Sequence, residues 1–266
     1  MATDENITNE LDKEKGRFVG FALLSKKRWS KEKFFKDMKE EWNINLTDSE
    51  ENSERNADDT IVYAEYNGMR IITGLVPAPV PGREAEHFAM ANYMWKDAVA
   101  QTEKHKAHLV ITVMGEGSTK DKAALYVKAA CAAIKQHSVI GLYSNGAVYE
   151  PKMFRSCAEV MKDNTFPILN TIWFGLYSDG TQAGVYTYGM RQFGKEEIEV
   201  YMPRGSADLN ALRNFTVSVA AYILDGDVTL NDGETIGFSE DERLPVVISP
   251  ALAFSGNSVK IDLQKK

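Results

Sequence analysis

TIVYAEYNGMRIITGLVP, residues 60–77, consists of two runs rich in β-branched and aromatic residues joined by Asn67-Gly68. Both residues of so short a turn need φ > 0, which Asn and Gly tolerate, so the stretch predicts a β-hairpin. Upstream, RFVGFALLSK (17–26) predicts a strand, and Ser30 an N-cap for a helix through Trp42 that buries Phe34, Phe35 and Met38. Downstream, PAPVPG (77–82) makes a rigid bend. A long helix is then expected from about Glu84 to Lys106, with Phe88, Ala91, Trp95, Ala98 and Val99 as its apolar stripe. HLVITVMG (108–115) closes the series as a buried strand. Counted outward from the hairpin, the order is β-α-β-β-α-β, the ferredoxin-like plan.

A second round of similar elements follows. VIGLYSNGAVY brings a strand and another Asn-Gly pair, and PKMFRSCAEVMKD a helix. A hairpin is expected over Asp179-Gly180, then a strand at EIEVYMP. Ser206 is expected to cap a helix whose stripe is Leu209, Leu212, Phe215, Val219 and Ile223. The expected fold class is therefore α+β, two ferredoxin-like (βαββαβ-type) halves packed as one pseudo-duplicated unit. The boundaries this implies are a disordered tail over 1–16, halves over 17–137 and 138–250, and a C-terminal extension over 251–266. LTDSEENSERNADD (46–59) reads as a solvated acidic loop.

Of the 266 residues, 44% are hydrophobic and 26% charged, ordinary values for a globular protein. A net charge of -7 argues against nucleic acid or an anionic membrane as the main partner, since both need a basic face. No apolar run approaches the roughly 18 residues of a spanning helix. Cys131 and Cys157, the two cysteines, read as small core residues of a cytoplasmic protein.

Motifs with chemistry are few. Gly115, Gly117, Ser118 and Thr119, in GEGST between a strand and a helix, form a candidate anion seat. Their spacing is that of neither a P-loop nor GxGxxG, and Ser118 with Asp121 fits a capping box. Glu84-x-x-His87 and His105-x-x-His108 are too few ligands for a metal centre, and none is expected. No cofactor is expected either.

The stretch YTYGMRQFGKEEIEVYMP (186–203) carries the more suggestive pattern. Alternation puts Tyr186 with Tyr188, and Glu197 with Glu199 and Tyr201. On the preceding strand it puts Trp173 with Gly175 and Tyr177. Coinciding faces would make a Tyr/Glu surface for a ligand or partner, with Trp173, Tyr186, Tyr188, Glu197 and Glu199 as binding residues. Opposed faces would leave the tyrosines half-buried and the glutamates solvated, and period two alone does not set the register between strands.

FALLS, LVPAPVP, HKAHLVITV, VIGLYSNGAVY and above all YTYGMRQFGKEEIEV with DGETIGFS resemble the bacterial domain-of-unknown-function family 4261, over roughly residues 17–250. The resemblance implies a bacterial cytoplasmic protein and transfers no catalytic residue. The leading expectation is a non-enzymatic binding or protein-interaction module, immunity-like or accessory in kind, whose partner has a basic surface suited to the net charge. The alternative is a small-ligand-binding protein or hydrolase-like enzyme, with Glu197 or Glu199 as acid/base and Tyr188 orienting the substrate.

Overall fold

The computed structural model describes residues 13–48, 61–206, 208–237 and 242–263. Residues 1–12 of the tail expected over 1–16, and 49–59 of the acidic loop, lie outside these residues, while Lys13 and Glu14 are helical. The chain divides into two compact units, Gly16–Thr171 and Met1–Lys15 with Ile172–Lys266. Each combines helices with one β-sheet, as the α+β class requires.

The larger unit has strands β1 (Phe18–Leu24), β2 (Thr47–Asp48), β3 (Ile61–Tyr66), β4 (Met69–Val76), β5 (Ala107–Gly115), β6 (Val139–Ser144) and β7 (Ala147–Tyr149). Its helices are α1 (Lys31–Trp42), α2 (Glu84–Met90), α3 (Ala98–Thr102), α4 (Thr119–Ile134), α5 (Pro151–Ala158) and α6 (Ile168–Thr171). The sheet runs β2-β3-β4-β5-β1-β6-β7, with antiparallel pairing throughout. The Asn67-Gly68 hairpin forms as expected, with φ of 49° and 76° at the two turn residues. Asn145-Gly146 repeats the device between β6 and β7. Ser30 caps α1 by accepting from the Lys33 amide. Alanine-rich α4, buried almost without interruption from Leu125 to Ile134, packs on β1 and β5. Each large aliphatic side chain so removed from water contributes about 1.5–3 kcal/mol.

This order corrects the ferredoxin-like expectation. In that plan the first strand lies beside and parallel to the third. Here β5 lies between β4 and β1, because the chain after β4 returns directly alongside it, pairing Met69 with Gly115. The expected long helix is also two short ones. Between them Asn92 Oδ1 accepts from the Met94 and Trp95 amides, and Asn92 Nδ2 donates to the Val148 carbonyl. Such a side chain competes with the helical ladder and ends it. The expected stripe still meets the core, with Phe88, Trp95, Ala98 and Val99 packed around Leu23, Val80 and Val148. The division also falls after 171 and not after 137, since β6 pairs with β1 over Gly20–Leu24.

The second unit holds β8 (Trp173–Ser178), β9 (Gln182–Tyr188), β10 (Ile198–Pro203), α7 (Leu209–Gly226), β11 (Thr235–Ile236), β12 (Leu244–Pro250) and β13 (Asn257–Asp262). Its order is β11-β12-β13-β10-β9-β8, and β10 with β13 is parallel. The two sheets thus differ in strand number, order and direction, and the expected duplication is not what the strands form. The residues assigned to a C-terminal extension supply β13, an interior strand. Asp208, and not Ser206, caps α7, accepting from the Asn210 and Ala211 amides. Helix α7 lies on β8, β9 and β10 and buries Leu212, Thr216, Val219, Ala220, Ile223 and Leu224. A row runs across five strands through Leu176, Val185, Val200, Ile261 and Val246, the last four of them buried.

Candidate functional site

The register of the second sheet decides how the Tyr/Glu residues share faces. Trp173 lies opposite Tyr188. Gly175, Tyr186, Glu199 and Lys260 form the next row of that face, and Tyr177, Gly184, Tyr201 and Asp262 the row after it. Tyrosines and Glu199 therefore share one face. The rings lie flat on glycines: a Cβ on Gly184 would come 2.6 Å from the Tyr177 ring, and one on Gly175 would overlap Tyr186. Trp173 is buried, Tyr177, Tyr186 and Tyr201 are half-buried, and Tyr188 is 39% exposed. Burial first, then the charge of Glu199, pushes the Tyr177 phenol pKa up. For Tyr201, burial and then Asp262 act the same way.

The glutamates do not form an exposed acidic row. Glu197 is 3% exposed and Glu199 0%. A buried carboxylate needs donors, and each finds them in a loop. Glu197 Oε1 accepts from the Gly189 amide at 2.7 Å and the Arg191 amide at 3.3 Å, while Oε2 accepts from Thr187 Oγ1 at 2.7 Å. Burial raises the Glu197 pKa and these donors oppose the rise. Glu199 Oε1 accepts from the Leu252 and Ala253 amides, both at 2.9 Å, and Oε2 from Ser258 Oγ at 2.8 Å. Lys260 Nζ stands 3.8 Å from the same carboxylate and donates to the Pro250 carbonyl. Glu197 thus pins the 3-10 turn Met190–Phe193, and Glu199 pins the β12–β13 loop.

The two pinned loops meet. Arg191 lies against Gly256, where an added Cβ would stand 2.8 Å from Nη2. Arg191 also faces Glu196 at 3.4 Å and Glu14 at 3.9 Å. Beside it is a cavity of about 280 Å3. Tyr188, Arg191, Gln192 and Glu197 line it from the β9 side, Phe254 and Ser255 from the β12–β13 loop, and Glu14 from the N-terminal segment. Phe254 reaches Tyr186 ring to ring at 6.2 Å. Of the expected site residues, the cavity takes Tyr188 and Glu197. Tyr186 and Trp173 lie on the same sheet face, and Glu199 is a support. Arg191, Gln192, Phe254, Ser255 and Glu14 were not expected here. A signal for the first two is the flanking pair Gly189 and Gly194, whose φ of 127° and 72° mark a constrained turn.

The candidate anion seat belongs to the larger unit. There Ser118 Oγ accepts from the Asp121 amide, and Asp121 Oδ2 accepts from the Ser118 amide, completing the expected capping box. Gly115 packs against the Gly68 carbonyl, where a Cβ would approach to 2.7 Å. The histidines tether the proline bend: His105 Nε2 accepts from the Val80 amide, and His108 Nδ1 donates to the Ala78 carbonyl. Burial lowers the His108 pKa. Glu84 accepts from the Tyr143 hydroxyl at 2.7 Å.

Residues 186–262 match a family model described as domain of unknown function DUF4261. The match begins at Tyr186 in β9 and ends at Asp262 in β13. It contains both glutamates, both pinned loops and every cavity residue except Glu14. The FALLS, LVPAPVP and HKAHLVITV segments lie outside it. No curated protein and no solved structure matches the chain.

Proposed function

We propose that this chain, whose residues 186–262 match the DUF4261 family model, is a small-ligand-binding protein whose site is the cavity beside Arg191. The carrying observation is the convergence of two loops, each pinned to the sheet by its own buried glutamate, on one concave space. Ligand-binding sites are concave and largely pre-formed. Pinning the loops from behind pre-organises them, which lowers the ordering cost of binding. Binding rather than hydrolysis is favoured, because both oxygens of Glu197 and of Glu199 already accept protein donors. Cys131 and Cys157 form no disulfide, which fits a reducing bacterial cytoplasm. The test is a thermal-shift screen of a broad metabolite library against the full chain and against Tyr188→Ala. Expected is a stabilising compound whose effect the variant loses. A hit that shifts both proteins equally, or no hit at all, overturns the reading.

A protein-interaction role is the second reading. Met90, Tyr93 and Met94 are 67%, 40% and 43% exposed within five residues of the larger unit, and large apolar side chains clustered in this way mark contact surfaces. The net charge of -7 would suit a basic partner. A stoichiometric partner that co-purifies with the native chain and is lost on Met90→Asp would support it. Co-purification unchanged by that substitution would count against this surface.

A further inference from the structure

The Arg191 cavity carries a more specific inference, which rests on the ligand-binding reading above. Two adjacent lining residues each hold a buried polar atom with no hydrogen-bond partner among the described residues. Arg191 Nε is a donor and Gln192 Oε1 an acceptor. Buried polar atoms are almost always paired, so each such exception calls for an explanation. Neither atom borders open space as it stands, so a ligand reaches them by turning the two side chains toward the cavity, and a single one would then satisfy both by offering an acceptor to the first and a donor to the second.

Charge narrows the ligand further. A simple anion drawn to Arg191 would sit among the carboxylates of Glu14, Glu196 and Glu197. A simple cation drawn to those carboxylates would face the guanidinium. A molecule carrying both charges a few bonds apart avoids both conflicts. Glu14, 52% exposed and 3.9 Å from Arg191 Nη1, is placed to take a positive group. Phe254 and Tyr188 add aromatic surface for an apolar body. The volume of about 280 Å3 lies just below the usual ligand-cavity range of roughly 300–1,000 Å3, which calls for a small molecule.

We infer that the cavity binds a free α-amino acid with an apolar or aromatic side chain. Its carboxylate accepts from Arg191, its ammonium donates to Gln192 Oε1 and Glu14, and its side chain lies against Phe254 and Tyr188. Guanidinium–carboxylate recognition supplies the strongest of these contacts.

The test uses the full chain and ligand-observed NMR, with each standard L-amino acid as a probe. The best binder is then compared with its decarboxylated amine and its deaminated acid by calorimetry. Expected is saturable binding of at least one apolar or aromatic amino acid, weakened by more than about tenfold in each analogue. Gln192→Met and Arg191→Met should each weaken it by a similar factor. Because Arg191 lies against Gly256, its substitution risks the fold, so the Gln192 variant, checked by circular dichroism, is decisive. A deaminated acid or an amine that binds as well as its parent overturns the zwitterion. Amino acids that all fail, while a compound from the metabolite screen binds at Tyr188, overturn the amino-acid assignment and leave the cavity reading standing. Failure of both sets overturns both.

Discussion

Tyr186 stands directly opposite Gly175 on the β8–β9 ladder, and its ring covers the glycine. Tyr177 covers Gly184 in the neighbouring row. The missing Cβ atoms create the space in which both rings lie. Gly175→Ala should therefore force the Tyr186 ring off the sheet, at a cost of about 1–3 kcal/mol. Gly180→Ala is the control, since no atom of the described residues stands within 4 Å of a Cβ there, and it should change stability by less than about 0.5 kcal/mol. Urea unfolding of both variants measures the difference.

Glu199→Ala should be among the most damaging single changes in the second unit. It strips the Leu252 and Ala253 amides and Ser258 of their acceptor and leaves Lys260 without its carboxylate. Breaking such a buried set costs about 3–5 kcal/mol. Amide exchange should rise first at residues 252 and 253, ahead of β8 and β9. Uniform exchange across the unit would show that the loop is not held from this point.

Glu197 links stability to pH. Burial raises its folded pKa above the ordinary 4.5, so between those two values the folded state holds a proton that the unfolded chain has lost. Its contribution is fully present below about 4.5 and is lost as pH rises through the folded value. Glu197→Gln mimics the protonated form and lacks this titration. Native protein should thus lose stability relative to the variant as pH climbs above 4.5, read from urea midpoints at several pH values. A gap that moves the other way would mean that the Gly189, Arg191 and Thr187 donors outweigh burial.

The two thiols should react at very different rates. Cys131 is fully buried and burial pushes its pKa up, so the thiolate that reacts is scarce. Cys157 is half-buried on α5. A thiol reagent should label Cys157 in the native protein and Cys131 only on unfolding. Equal rates would show that the α4 core opens readily.

Local chemistry was readable where it is self-contained. Asn67-Gly68 announces a hairpin because both residues accept positive φ, and Ser30 and the Ser118–Asp121 pair announce helix starts through their own oxygens. What escaped depends on distant partners. Asn92 breaks the expected helix by bonding Val148, 56 residues away. Alternation placed Glu199 on a face but not the loop that buries it, since Leu252 lies 53 residues on. The pairing of Tyr186 with both Gly175 and Glu199 needed a register that period two does not supply. The strand orders were lost for the same reason: a list of elements does not say that β5 sits beside β1.

Strand β13 imposes a timetable on folding. It is made after β8, β9, β10, α7 and β12, yet it lies between β10 and β12 in the finished sheet. During synthesis β10 must wait with one edge open until residues 257–262 emerge. Helix α7 can dock in the meantime, but the sheet closes only when this late strand slides in. A ribosome-stalled chain ending before Asn257 should be protease-sensitive through β12, and release of a few more residues should protect it all at once.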